Sequence, residues 1–253
     1  MKNKLGQIFL TDKKTAEREV KYANIKQDDV VLEIGPGNGI LTKLLSKKAK
    51  KVIAIELDNN LVNELKKTLS SNVELIHGNA LEIDFNKFKG FNKVVANLPF
   101  QISSPITFKL LDYDFDLAVL IYQKEFAERM IAKPGNKNYS RLSVNIYYKS
   151  ICEILEHVPK TNFKPQPKVD SSIVRIIPRY DSPFKVYNEQ LFFDITKKFF
   201  SHRRKKIKTI LKNRYKDYIN QISFLENRVE DLTPEQIGKI SNELFDINRL
   251  INQ

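Results

Sequence analysis

The chain predicts an α/β fold: a mostly parallel sheet covered by helices, followed by a small C-terminal helical domain. Three observations carry this. Short β-branched runs alternate with longer amphipathic stretches from about residue 30, strand signals stop before about Asn188, and only helical spacing follows. In order, the runs are Val30-Val31-Leu32-Glu33-Ile34, Lys51-Val52-Ile53-Ala54-Ile55-Glu56, Val73-Glu74-Leu75-Ile76, Lys93-Val94-Val95-Ala96 and Leu117-Ala118-Val119-Leu120-Ile121. Such near-continuous apolar runs suit strands buried on both faces. Between them, stretches such as Leu41-Thr42-Lys43-Leu44-Leu45 and Leu61-Val62-Asn63-Glu64-Leu65 read as crossover helices. A last strand, Ser172-Ile173-Val174-Arg175-Ile176-Ile177, precedes Pro178 and Pro183. The tail predicts helices over 192–218, 219–229 and 234–250, the last opening at Thr233-Pro234-Glu235. The boundary is expected at the prolines, giving domains 1–183 and 184–253.

Composition narrows the partners. The 253 residues carry a formal charge of +13, with 43 Lys and Arg against 30 Asp and Glu, which favours a polyanion. Nucleic acid leads and an anionic membrane surface comes second. No apolar stretch nears the roughly 20 residues that span a bilayer, and Met1-Lys2-Asn3-Lys4 leads into no signal-peptide core, so a cytoplasmic protein is expected. Cys152 is the single cysteine and His77, His157 and His202 lack ligand spacing, so no metal site is expected.

The chemistry-bearing residues fall at the carboxyl ends of the strands, where ligands of such sheets bind. Glu33-Ile34-Gly35-Pro36-Gly37-Asn38-Gly39 follows the first strand, and its glycines permit a tight turn and close approach to a ligand. Dinucleotide enzymes use G-x-G-x-x-G at the same place. Here the spacing is G-x-G-x-G with an acid two residues ahead, a pattern that resembles S-adenosylmethionine-dependent methyltransferases. Glu56, ending the second strand, is placed to accept from ribose hydroxyls, a role it could play for NAD as well. Gly78-Asn79-Ala80 ends the third strand as an adenine contact. Asn97-Leu98-Pro99-Phe100 ends the fourth, offering an amide oxygen, a backbone carbonyl and an aromatic face to a flat base with an amino group. Alone, that string is equally a strand ending in a proline turn.

Together these residues resemble the small-subunit ribosomal RNA adenine N6,N6-dimethyltransferases, most closely their archaeal branch, with a Rossmann-like methyltransferase sheet. Further segments carry the resemblance: Leu5-Gly6-Gln7-Ile8-Phe9-Leu10, Ile102-Ser103-Ser104-Pro105-Ile106, Gln123-Lys124-Glu125-Phe126-Ala127-Glu128-Arg129, Tyr139-Ser140-Arg141-Leu142-Ser143-Val144, 163–171 and Phe199-Phe200-Ser201-His202-Arg203-Arg204-Lys205. The resemblance implies S-adenosylmethionine as cofactor. It would be held by Gln7, Ile8 and Leu10 from the N-terminal segment, by Gly35, Gly37 and Gly39, by Glu56 at the ribose, by Asn79 and Ala80 at the adenine, and by Asn97 between cofactor and target. The family usually has Asp at position 79 and Tyr at position 100. Asn79 keeps an acceptor without charge, and Phe100 keeps the stacking face without the hydroxyl.

The implied reaction is dimethylation of N6 on two adjacent adenosines near the 3′ end of small-subunit ribosomal RNA, in an assembling subunit, by a monomer. Asn97 oxygen and the Leu98 or Pro99 carbonyl would accept from N6, and Phe100 would stack on a base taken out of its helix. Phe163 is a candidate for the opposite ring face, or else a core anchor. From Thr196 to Lys216 ten basic residues run without an acid, among them Arg203, Arg204, Lys205, Lys206 and Lys208; with Lys168 they are expected to meet phosphates. The alternatives are a large-subunit rRNA adenine methyltransferase conferring antibiotic resistance and a nucleic-acid-binding transcription or assembly factor of the same fold.

Overall fold

The computed structural model describes residues 7–88 and 90–251, so Leu5 and Gly6 of the N-terminal motif lie outside the described residues. Two compact units form: Met1–Ala127 with Cys152–Pro178, and Glu128–Ile151 with Arg179–Gln253. The elements in chain order are β1 (Phe9–Leu10), α1 (Lys13–Tyr22), β2 (Val30–Ile34), α2 (Ile40–Leu45), β3 (Lys51–Glu56), α3 (Asn59–Leu65), β4 (Val73–His77), β5 (Lys93–Asn97) and α4 (Ser103–Leu110). They continue with β6 (Leu117–Gln123), α5 (Lys124–Met130), α6 (Arg141–Lys149), β7 (Ser150–Val158), β8 (Phe163–Lys164), β9 (Ser171–Pro178), α7 (Glu189–Phe200), α8 (Ile207–Leu211) and α9 (Pro234–Ile251).

In the first unit a seven-stranded sheet runs β4-β3-β2-β5-β6-β9-β7. Strands β2 to β6 pair in parallel and β9 lies antiparallel to β6, in keeping with the expected sheet. The order reverses between β2 and β5, and a crevice at the carboxyl ends of such neighbours is where this architecture binds ligands. The runs of β2, β3, β5 and β6 are buried as their composition requires, with Val31, Leu32, Val52, Val94 and Leu120 solvent-inaccessible, whereas β4 at the sheet edge is only partly covered. Helix α1 is capped by Asp12, whose carboxylate accepts from the Thr15 N–H at 2.8 Å.

Strand β7 gives little signal in the sequence because Glu153, Glu156 and His157 interrupt its apolar residues. Tertiary partners satisfy those groups at the sheet edge. Arg18 makes a forked contact to Glu156 at 2.7–3.0 Å, Arg175 on β9 pairs with Glu153, and His157 Nδ1 lies 2.9 Å from Ser172 Oγ.

The second unit packs Tyr139, Val144 and Tyr148 with Phe192, Phe199, Leu232 and Ile240, and Tyr139 Oη donates to Leu232 O at 2.9 Å. Residues 128–151 therefore cluster with the tail, where a cut between 183 and 184 alone would leave them with the sheet. Two expected helices are corrected. The stretch 192–218 is α7, a break at 201–206, the short α8 and a 3-10 turn at Lys216–Gln221; 219–229 holds no α-helix. The break arises because the backbone of 203–207 pairs with 227–230. Ile207 N donates to Asn227 O, Val229 N to Lys205 O and Glu230 N to Arg203 O, at 3.0–3.2 Å.

Candidate functional site

At the carboxyl ends of β2 to β5, within the first unit, lies a cavity of about 350 Å³. Each wall comes from a strand end. The loop after β2 supplies Gly35 and Gly37, β3 ends in Glu56, β4 leads to Asn79 and Ala80, and β5 delivers Asn97, Leu98, Pro99 and Phe100. Gln7, Ile8 and Leu10 cross the cavity from the N-terminal side, held there because β1 pairs antiparallel with β8.

A short hydrogen-bond chain locks the polar side. The buried Glu56 accepts from Gly37 N at 3.1 Å through Oε2 and from Asp58 N at 2.9 Å through Oε1. Asp58 in turn accepts from Gln7 Nε2 at 3.2 Å. The Asn60 N–H, then the Gln7 amide, hold the Asp58 carboxyl below its usual range. Gly37 has φ +56°, and a Cβ there would lie 2.8 Å from Phe9 Cδ1, so the turn and the overlying ring both require glycine.

Two buried acceptors on this wall have no hydrogen-bond partner: Asn97 Oδ1 and Glu33 Oε2. Leaving such an atom unmet costs roughly 1–3 kcal/mol, and both residues line the cavity. Burial raises the Glu33 carboxyl to about 8, with the nearby Glu56 charge adding to the rise and Thr42 opposing it. Around these acceptors the walls are apolar, from Ile8, Leu61 and Ile102. A largely apolar cavity lined by a few acceptors suits a nucleoside bearing an amino-acid chain. Glu56 retains lone pairs beyond those used by Gly37 and Asp58, and both it and Glu33 line the cavity.

Several expected residues are placed otherwise. Gly39 does not line the cavity: it turns the chain into α2 at φ +75°, and a Cβ there would lie 2.6 Å from Leu65 Cδ2. The Asn79 side chain is engaged in its own loop, accepting from Leu81 N at 3.0 Å and donating to Glu82 Oε1 at 2.7 Å. Phe163 is corrected as a base-stacking candidate. Pairing of β8 with β1 puts it in the core beside Leu10 and Ala16 at 3 % exposure, where its ring meets Phe100 edge-on at 6.5 Å. Phe100 itself is half-buried and Pro99 exposed, while Leu98 is buried.

In the second unit the basic run is divided. Arg203 pairs with Glu230 at 3.0 Å and donates to the backbone carbonyls of Lys137 and Asn136, which makes it a tie between loops. Lys206 and Lys208 both face Glu226, at 2.7 and 3.7 Å. Arg204 and Lys205 are exposed and form no ion pair among the described residues; Lys168 of the first unit is exposed too. Glu33 and Phe9, which have no contact of their own in the expected site, do line the cavity. Both sit inside motifs read from the sequence, Glu33 as the acid ahead of the glycine loop and Phe9 within Leu5-Gly6-Gln7-Ile8-Phe9-Leu10.

No helix among the described residues is long and apolar enough to cross a membrane, and they hold no group of three or more residues suited to a metal ion. Residues 1–246 match the family model for ribosomal RNA adenine dimethylase. The chain is 46 % identical over 253 residues to the "Probable ribosomal RNA small subunit methyltransferase A" of Methanosarcina acetivorans, covering 95 % of this chain and 93 % of that one. Among solved structures, a dimethyladenosine transferase from Plasmodium falciparum superposes with a TM-score of 0.82 at 33 % identity, covering 95 % of this chain and 98 % of the other. The 23S rRNA methyltransferase ErmE follows at 0.70 and 27 %, with 94 % and 99 % covered.

Proposed function

The chain belongs to the ribosomal RNA adenine dimethylase family, in its archaeal branch, as an enzyme that uses S-adenosylmethionine; from that premise we propose that it dimethylates N6 of two adjacent adenosines near the 3′ end of small-subunit ribosomal RNA. The substrate is an assembling small subunit in the cytoplasm, and the enzyme acts as a monomer. The large-subunit alternative is not favoured, since the ErmE likeness is the weaker of the two.

The observation that carries the site assignment is the unpartnered Asn97 Oδ1 at the end of β5. S-adenosylmethionine, when bound, supplies an electrophilic methyl group. The chain's own residues prepare the nucleophile. N6 of adenine is a poor nucleophile because its lone pair is delocalised into the ring. In the first transfer one N–H donated to Asn97 Oδ1 and the other to the Leu98 or Pro99 carbonyl favour a pyramidal nitrogen with its lone pair turned away from both acceptors; in the second the single remaining N–H is held by one of them, and each transfer ends with an N6 proton passing to water. Phe100 offers its face to the extruded base, a contact worth about 1–3 kcal/mol that offsets unstacking. No residue need abstract a proton ahead of the transfer; orientation and fixed dipoles supply the acceleration. Glu56 orients the ribose and the glycine loop excludes side chains from the space beside it.

RNA is held by the exposed cations Arg204, Lys205 and Lys168, which contact phosphates and leave selection to the shape of the RNA. The test is direct. The protein is incubated with labelled S-adenosylmethionine and either unmodified small subunits or large-subunit RNA, and the methylated bases are mapped. Dimethylated adenosines in small-subunit RNA are the expected result; label confined to large-subunit RNA overturns the assignment.

A further inference from the structure

One side chain links the wall that takes the target base to the wall that takes the cofactor's purine. Helix α4 starts immediately after the Asn97-Leu98-Pro99-Phe100 segment and its 3-10 turn. It is anchored to β6 through Thr107, whose Oγ1 donates to Ser103 O at 2.6 Å and lies 2.7 Å from Tyr122 Oη. From the last turn of α4, Lys109 reaches the loop after β4. Its Nζ donates to Ala80 O at 3.0 Å, Leu81 O at 3.0 Å and Ile83 O at 2.6 Å. An ammonium has three N–H donors, and here each has a carbonyl. The Phe85 ring lies beneath it, 4.5 Å from Nζ to the ring centroid. Burial pulls this ammonium below the ordinary lysine range, while the Asp84 charge opposes the shift.

The loop's other bonds show why those carbonyls need a cation. Asn79 O accepts from Glu82 N and Ile83 N, and Asn79 Oδ1 accepts from Leu81 N, so the loop is wound about Asn79. That winding leaves the carbonyls of 80, 81 and 83 outside it, and no strand or helix accounts for them. Lys109 meets all three. The same loop supplies Gly78, Asn79 and Ala80 to the cavity wall.

We propose that Lys109 is a positioning residue for cofactor recognition: it fixes the loop 78–83 in the shape that distinguishes adenine from other purines, and it ties that shape to the helix that follows the target-base motif. The proposal rests on the reading of Asn79 and Ala80 as the adenine wall. Arg would retain a multi-donor cation at this point, whereas Met would keep the stem's length and apolar packing with no donor.

Calorimetric titration of the full chain with S-adenosylhomocysteine and with S-inosylhomocysteine, in which a 6-oxo group replaces the 6-amino group, tests it. The wild type is expected to prefer the adenine ligand. Lys109→Met is expected to lose roughly tenfold in affinity for S-adenosylhomocysteine and most of the preference, with kcat at saturating cofactor within about threefold of wild type. Lys109→Arg is expected to keep the preference, and thermal melts of each variant report whether it is folded. A Met variant that retains the wild-type ratio, however weak both ligands become, overturns the proposal by making Lys109 a structural bracket only; so does an Arg variant that folds and loses the ratio. A wild-type chain that binds both ligands equally overturns the adenine-wall reading itself, and the role of Lys109 with it.

Discussion

At the strand ends acceptors stand buried without partners, and in the basic segment of the helical unit several donors are already paired. Asn97 Oδ1 and Glu33 Oε2 have nothing to accept from, whereas Arg203, Lys206 and Lys208 face Glu230 and Glu226. The difference separates two kinds of binding surface. A buried acceptor is costly until a ligand arrives, so it selects a ligand of matching shape. An exposed ion pair is worth little either way and is exchanged for a phosphate at small net gain, so the pull on a polyanion falls to the cations left over.

Removing the unmet acceptor is the sharpest way to break the comparison. Asn97→Ala should lower the methylation rate by about 10²–10³, the range seen when one preorganised polar contact to a transition state is deleted, with the thermal midpoint unchanged. Normal turnover by this variant would leave the orphaned oxygen without a role. Next in size, Gly37→Ala should weaken S-adenosylhomocysteine binding by roughly tenfold, since a Cβ at φ +56° meets Phe9 and displaces the N–H held by Glu56. Isothermal titration measures it; unchanged affinity would mean that the loop adapts.

The paired and unpaired cations should then part company. The double variant Arg204→Glu, Lys205→Glu should weaken RNA binding several-fold and reduce the salt slope by about 2, while melting like wild type. Arg203→Glu should instead melt lower, because it severs the tie to Glu230 and to the carbonyls of 136 and 137. If Arg203→Glu weakened RNA binding with no change in melting, the division drawn between these arginines would be wrong.

The smallest effect concerns pH. Glu33 is held up to about 8 by burial, and Glu19, fully buried with both oxygens unpartnered, is raised well above its ordinary value by burial and by Glu33. A carboxyl whose folded value lies above its unfolded one keeps a proton that the unfolded chain releases. The stability contributed by Glu33 should therefore fall as pH rises from about 4.5 to about 8, with Glu19 acting in the same direction. Glu19→Leu should flatten that fall and raise the melting point by a few degrees near pH 7.5. A variant whose melting profile keeps the wild-type slope would show that Glu19 does not contribute.

Where signals are local, the sequence is legible. Strands β2, β3, β5 and β6, buried on both faces, read as apolar runs, and the residues closing each strand end carry their turn chemistry beside them, so these strands and the wall residues Gly35, Gly37, Glu56 and Asn97 can be found one motif at a time. Strand β7 cannot, because its charges are satisfied by Arg18 and Arg175, far away in sequence. Likewise Phe163 reads equally as a base-stacking ring or a core anchor until β8 pairs with β1 and buries it.

By itself, then, the sequence determined a parallel sheet with ligand chemistry at its carboxyl ends, and through the motifs at those ends the family and its cofactor. Backbone preference and periodicity act over a few residues and need no knowledge of the rest. Tertiary structure alone decided which cations stay unpaired, that the helix expected through 201–206 breaks to pair with 227–230, that Gly39 serves packing, and that Lys109 gathers three carbonyls of a distant loop. Each of these depends on groups well separated along the chain, where a hydrogen bond or ion pair is chosen by the fold and leaves no mark on its neighbours in the chain.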